Sequence, residues 1–168
     1  MKAAPFDKSA LFIDVPDLPD LHLRSVTSED LDLLRHWKNQ QKQFFFYQDE
    51  ISPEQQLKWY EAFSQRPYDL LTMTVYQNKV FGCMGIRLLE DHWDIYNVIL
   101  GDVDFGKKGL MGRSFKVLIN YALDLKLAPI NLKVLKDNPA VSWYQKQGFS
   151  ITEKNSDHFS MCYQIACS

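Results

Sequence analysis

A single α/β domain, with helices on both faces of a mixed sheet, is the fold class this sequence predicts. Three observations predict it. Runs with the two-residue period of strands alternate with runs of helical period in the order β, α, α, three or more β, then α, β, α, β, β. Two helix starts are written in capping residues, at Thr27 and at Ser52. The chain has 168 residues, 46% apolar and 24% charged, enough for one hydrophobic core in ordinary globular proportions.

The elements follow in chain order. Pro5, Pro16 and Pro19 surround the apolar stretch Leu11 to Val15. That stretch reads either as an extra edge strand or as an arm on the partner subunit of a homodimer. Residues 1–20 are therefore set apart as an extension, and 21–168 as the domain. Leu21 to Val26 reads as a strand. Thr27 with Asp30 resembles a capping box, and Leu31, Leu34 and Trp37 recur at helical spacing, predicting a helix over about 28–39. Ser52, Pro53 and Gln55 open a second helix with Leu57, Tyr60 and Phe63 or Trp59 inward. The segment between the helices, Gln43 to Gln48, holds three consecutive phenylalanines and Tyr47, so it either lines a pocket or seals the core.

Leu70 to Tyr76 and Val80 to Leu88 predict a hairpin closed by Gln77, Asn78 and Lys79, and Ile95 to Val103 a further strand. Phe115, Leu118, Ile119, Ala122 and Leu125 mark a long helix that begins after Gly109 and ends before Pro129. Ile130 to Leu135 is a short strand. A final helix runs from Pro139 to a stop at Gly148, and Phe149 to Thr152 and Phe159 to Ile165 are strands.

Charge and cysteine usage exclude several functions. A net charge of -2, with Lys and Arg spread along the chain, is not that of a protein held to nucleic acid by phosphate contacts. Cys83, Cys162 and Cys167 lack metal-ligand spacing, so neither a metal nor a disulfide framework is expected. No apolar run is long enough to span a membrane, and the first twenty residues carry acids where a signal peptide needs an apolar core, so a cytoplasmic enzyme is expected.

The chemistry is expected where strand gives way to helix, in Asp104 to Ala122, DFGKKGLMGRSFKVLINYA. Free N–H groups at the start of a helix hold phosphates, Gly109 and Gly112 let the backbone approach, and Lys107, Lys108 and Arg113 add positive charge. The run GKKGLMGRS lacks the paired Gly-Lys-Ser/Thr ending of a Walker A loop.

The loop resembles the acetyl-CoA loop of the GNAT superfamily, Q/R-x-x-G-x-G/A, with Gly106, Lys107, Lys108, Gly109, Leu110 and Met111 on its six positions; Gly106 and Met111 depart from the usual residues. Val134 to Phe149, VLKDNPAVSWYQKQGF, resembles the C-terminal motif V-x-x-x-N-x-x-A-x-x-x-Y-x-x-x-G-F, with Asn138, Ala140, Tyr144, Gly148 and Phe149 in its order. The resemblance covers about residues 21–165. It implies the GNAT fold, a mixed and mostly antiparallel sheet with a V-shaped splay between two central strands, and an N-acetyltransferase that takes acetyl-CoA as co-substrate with no metal.

The resemblance further implies that backbone groups of Leu100, Gly101, Asp102 and Val103 pair with the pantetheine, that Lys107 to Arg113, including Gly112, hold the pyrophosphate, and that Asn138 binds the pantetheine arm. Tyr144 is then the expected general acid. Relatives place a Glu on the strand before the loop; here Asp94 is the nearest carboxylate, sharing a strand face with Tyr96, and is the expected base. His92, among acids in a turn, ranks below it.

For the acceptor, HWKN at His36 to Asn39 and ISPEQQLKWYEAF at Ile51 to Phe63 resemble bacterial enzymes that N-acetylate a nucleotide-linked 4-amino-dideoxy sugar, with Gln56 in place of a His. That resemblance makes Trp37, Asn39, Phe46, Tyr47, Trp59 and Tyr96 the expected substrate contacts and a sugar nucleotide the expected partner. Two alternatives stay open: a ribosomal-protein-like N-terminal acetyltransferase, and a silent CoA-binding module. A polycationic aminoglycoside is disfavoured because no dense acidic patch is present to receive it.

Overall fold

The computed structural model describes residues 5–163. Eight strands form one sheet in the order β1-β2-β3-β4-β5-β6-β8-β7. They are β1 (Phe12–Asp14), β2 (Leu21–Ser25), β3 (Asp69–Tyr76), β4 (Lys79–Leu88), β5 (Trp93–Leu100), β6 (Ile130–Leu135), β7 (Phe149–Lys154) and β8 (His158–Tyr163). Every neighbouring pair is antiparallel except β5 with β6, which is parallel and therefore needs a crossover. That crossover is α3 (Leu110–Leu125); the other helices are α1 (Leu31–Gln40), α2 (Pro53–Ser64) and α4 (Ala140–Lys146). Among the described residues no helix is long and apolar enough to cross a membrane.

Of the two readings of the first twenty residues, the edge strand is the one observed: β1 pairs with β2. Phe6, ahead of it, packs against Trp93 and Tyr121. The β3–β4 hairpin turns on Gln77 and Asn78, whose φ values of 49° and 66° give the left-handed pair that suits a two-residue loop. The sheet separates two cores. On one face α3 and α4 cover Leu21, Leu70, Phe81, Met84, Ile95 and Leu132. On the other, α1 and α2 cover Leu71, Met73, Cys83 and Ile99 with Leu34, Trp37 and Phe63.

The capping residues act as expected, with one addition. Ser52 and Gln55 exchange side-chain and backbone hydrogen bonds at the start of α2, at 2.9 and 3.2 Å. Asp30 accepts from the Thr27 N–H at 2.8 Å, but it also takes two hydrogen bonds from Arg24, at 2.8 and 2.9 Å. The box therefore fastens α1 to β2. A 3-10 turn, Ser28–Asp30, precedes α1. Cys83 is a buried free thiol, and Cys162 is disulfide-bonded.

Candidate functional site

The site is organised by the end of β5. Its pairing with β4 shifts register: Gly85 faces Tyr96 and Cys83 faces Ile99, so Asn97 and Val98 together oppose Met84. Asn97 absorbs the extra residue with a left-handed φ of 48°. The bulge sends Asn97 and Ile99 toward α1 and α2, and Val98 and Leu100 toward α3 and α4. On its other edge β5 pairs with β6 only at Trp93, Asp94 and Ile95. Beyond Ile95 the strands part, which is the expected splay, and the backbone of β5 is left with an open edge.

α1 fixes this strand end. The Gln41 amide donates to Leu100 O at 3.1 Å, and the Trp37 indole lies flat against Gly101, filling the space where a Cβ would stand. The N–H groups of Gly101 and Asp102 both donate to Phe81 O, at 2.9 and 3.0 Å.

A cavity of about 560 Å³ fills the splay. Its polar end is the loop before α3, where Lys107 and Gly109 adopt left-handed φ values of 61° and 73°. Such alternation turns successive N–H groups to one side, and the first turn of a 16-residue helix adds its own free donors and dipole. Lys107 and Lys146 flank this end. Val98, Leu100, Phe44, Phe45 and Trp143 form a long apolar wall. Asn138 lines the cavity between them while its Oδ1 accepts from Ala140 N at 2.9 Å and its Nδ2 donates to Phe44 O at 3.4 Å. Asn138 and Ala140 are one residue closer together than in the motif they resemble, with Pro139 alone between them. Donors at one end and an apolar channel at the other suit a phosphorylated ligand with a long, weakly polar arm.

A second cavity, about 320 Å³, lies on the opposite side of the same strand end. Its floor is Leu71, Cys83 and Ile99; Asn97, Gln55 and Gln56 give neutral polar groups, and Tyr47 and Trp59 give aromatic faces. Lys38 is the one charged residue among the described residues that line it. The Cys83 thiol donates to Asn97 O at 3.2 Å, and burial pushes its pKa up to about 12, so it stays protonated.

The structure brings some expected residues to these cavities and keeps others away. Lys107, Gly109, Leu110, Met111, Gly112, Asn138 and Leu100 line the first, and Tyr47 and Trp59 the second. Gly101, Asp102 and Val103 do not reach the splay, because the strand has ended and two of their N–H groups are spent on Phe81. Lys108 turns back over the Phe105 ring, and Arg113 is exposed on α3 beyond the cavity. Trp37 is buried against Gly101, and Asn39 clamps Ile51 through hydrogen bonds of 2.8 and 3.1 Å. Phe46 stands edge-on to His158 outside both cavities.

Neither expected catalytic side chain faces a cavity. Tyr144 packs among Phe115, Trp143 and Phe149 and is not among the residues that line the splay cavity, and burial raises its pKa above the ordinary tyrosine range. Asp94 sits at the start of β5, where Arg87 donates to it from Nε and Nη2, both at 2.8 Å. Tyr96 does share that side: its ring fills the space above Gly85, Arg87 lies over it, and its hydroxyl donates to buried Asp69. These groups brace the bulge from behind. His92 is paired with Asp91 at 2.7 Å in the turn ahead of β5.

Sequence reasoning missed Lys38, Asn97 and Gln41, while Phe44 and Phe45, in the aromatic segment expected either to line a pocket or to seal the core, line the splay cavity. Lys38 left one signal: it falls at the i+4 position from Leu34, a charge beside the apolar stripe of α1. The bulge at Asn97 left none.

A family model described as an acetyltransferase (GNAT) domain matches residues 20–150. No curated protein sequence matches the chain. Solved structures share the fold. FdhC, described as a nucleotide-linked sugar GNAT, superposes with a TM-score of 0.75 at 13% identity, covering 91% of this chain and 89% of its own. The Campylobacter jejuni N-acetyltransferase PseH gives 0.65 at 18%, covering 86% and 97%. A Salmonella typhimurium acetyl transferase that modifies the N-terminal serine of ribosomal protein L7/L12 gives 0.69 at 21%, covering 90% and 96%.

Proposed function

Because the chain belongs to the GNAT acetyltransferase family, we propose that it moves acetyl from acetyl-CoA to the 4-amino group of a nucleotide-linked amino-dideoxy sugar. The observation that carries this reading is the placement of two cavities back to back across the end of β5. The splay cavity takes the CoA, with phosphates at the α3 N-terminus and Lys107 and the arm along Val98 and Leu100. The second takes the acceptor, so that its amine and the thioester meet at the bulge.

Catalysis then rests on placement. Holding the amine against the carbonyl carbon turns a two-molecule encounter into a local event. The nitrogen attacks, a C–N bond forms, and the carbonyl oxygen gains charge that polar backbone groups on the open edge of β5 can accept. The C–S bond breaks and a thiolate leaves; a thiol of pKa about 8.5 leaves without a strong acid behind it. The amine proton passes to water at the mouth of the acceptor cavity, since no carboxylate or imidazole among the described residues lines it.

The acceptor class is supported by the aromatic faces of Trp59 and Tyr47 beside neutral amides, a surface suited to a sugar ring. The fold does not choose between acceptors, because the L7/L12-modifying enzyme and the sugar enzyme superpose comparably. The test is thiol release from acetyl-CoA with 4-amino-sugar nucleotides, N-terminal peptides and aminoglycosides offered in parallel. Turnover confined to the sugar nucleotides is expected. Turnover confined to peptides would replace this reading with the N-terminal one, and CoA binding without any turnover would leave a silent module.

A further inference from the structure

Three arginines on the same half of the molecule as Lys38 are ion-paired. Arg24 is paired with Asp30 at 2.8 Å, Arg87 with Asp94 at 2.8 Å, and Arg66 with Asp69 at 3.4 Å. Lys38 has no carboxylate within ion-pair distance among the described residues. The Phe45 ring lies 5.4 Å from its Nζ. Lys38 stands on α1 beside core residues Leu34 and Trp37, and it lines the cavity together with Cys83 and Ile99. Burial lowers its pKa, and the only opposing influence is the Cys83 thiol, which does not ionise at neutral pH. A cation drawn out of water without a counter-charge is destabilising unless something brings the charge to it.

We propose that Lys38 holds a phosphate group of the acceptor, so that the enzyme selects its amine by an anion carried on the same molecule. The proposal rests on the sugar-nucleotide reading and deepens it. A cavity of about 320 Å³ admits a sugar and the phosphate next to it rather than a whole nucleotide sugar. The nucleoside then lies at the mouth, where Tyr47, 48% exposed, offers a stacking face. A lysine serves phosphate as a mobile point charge and need not match its geometry. The same ammonium repels acceptors that bring only further positive charge.

The experiment compares two acceptors sharing one amine: a UDP-linked 4-amino-4,6-dideoxyhexose and the methyl glycoside of that sugar, which lacks phosphate. Steady-state kinetics are measured for the wild type, Lys38→Met and Lys38→Arg, with thermal unfolding and acetyl-CoA affinity as controls on folding. In the wild type the UDP-linked acceptor is expected to have the higher kcat/KM. Lys38→Met is expected to shrink that preference by about tenfold to a hundredfold, through the KM of the UDP-linked acceptor, and Lys38→Arg to restore most of it. An unchanged preference in a folded, CoA-binding Lys38→Met protein would overturn the anchor and leave the sugar-nucleotide reading standing. Wild-type protein that acetylates no sugar nucleotide would end both.

Discussion

The two cavities that meet at the end of β5 are made of different material. The splay cavity takes its polar end largely from one short stretch, Phe105 to Gly112, and much of its wall from another, Asn138 to Lys146. Its free donors are largely backbone N–H groups at the start of a helix, which any sequence able to make the turn supplies. The acceptor cavity takes one or a few side chains each from α1, the loop after it, α2, β3, β4 and β5. Its chemistry sits in side chains that only folding assembles. A backbone-built site is fixed by turn geometry, while a side-chain-built one changes with each residue placed in it.

Substitutions can sharpen or break this division. The largest effect is expected at the joint that both cavities share. Gly101→Ala puts a methyl where the Trp37 indole lies, and buried Trp37 has little room to yield. A loss of about 3 kcal/mol, the upper end for overpacking, is expected by urea unfolding, with both acetyl-CoA and acceptor KM values raised. A variant that kept either KM unchanged would show that the cavities are less coupled than the structure implies.

Next comes the acceptor side. Asp30 is buried in its clamp, and although burial alone would raise its pKa, the hydrogen bonds from Arg24 and Thr27 outweigh it and hold the carboxyl below its ordinary value. Its contribution is therefore complete above the unfolded carboxylate range and is lost as pH falls through the lower folded value. Asp30→Asn should cost about 2 kcal/mol, less than a fully buried pair because Arg24 is 31% exposed. The stability difference between variant and wild type should shrink in unfolding titrations carried into that acid range.

On the donor side, Gly109 has a left-handed φ of 73° and open space where a side chain would go. Gly109→Val should therefore cost only backbone strain, about 1–2 kcal/mol, while raising the acetyl-CoA KM and barely moving the acceptor KM. An equal rise in both would contradict a division between backbone-built and side-chain-built sites. The smallest effects are expected at Tyr144→Phe and Asp94→Asn, since neither residue faces a cavity. A kcat within about threefold of wild type is expected for each, and a loss of a hundredfold or more in either would restore that residue to the catalytic role its motif suggests.

The sequence by itself determined the layers and the turn that starts α3. The box at Ser52 and Gln55, the hairpin around Asn78 and the strand Ile130–Leu135 are local: each depends on residues within a few positions of one another, and each is present as read. The loop from Gly106 to Gly112 was legible for the same reason, because a glycine-containing turn ahead of a helical run is written within a few residues. Tertiary structure alone decided what stands opposite what. Leu11 to Val15 became an edge strand only when β2 offered a partner. Tyr144 and Asp94 sit on motif or strand positions that suggest chemistry, yet an aromatic cluster and Arg87 claim them. The bulge at Asn97 arises where β4 and β5 lose register, and Lys38 has no carboxylate within ion-pair distance among the described residues, a fact of tertiary placement. Register, burial and pairing depend on residues distant in the chain, so the reading of single segments could not reach them.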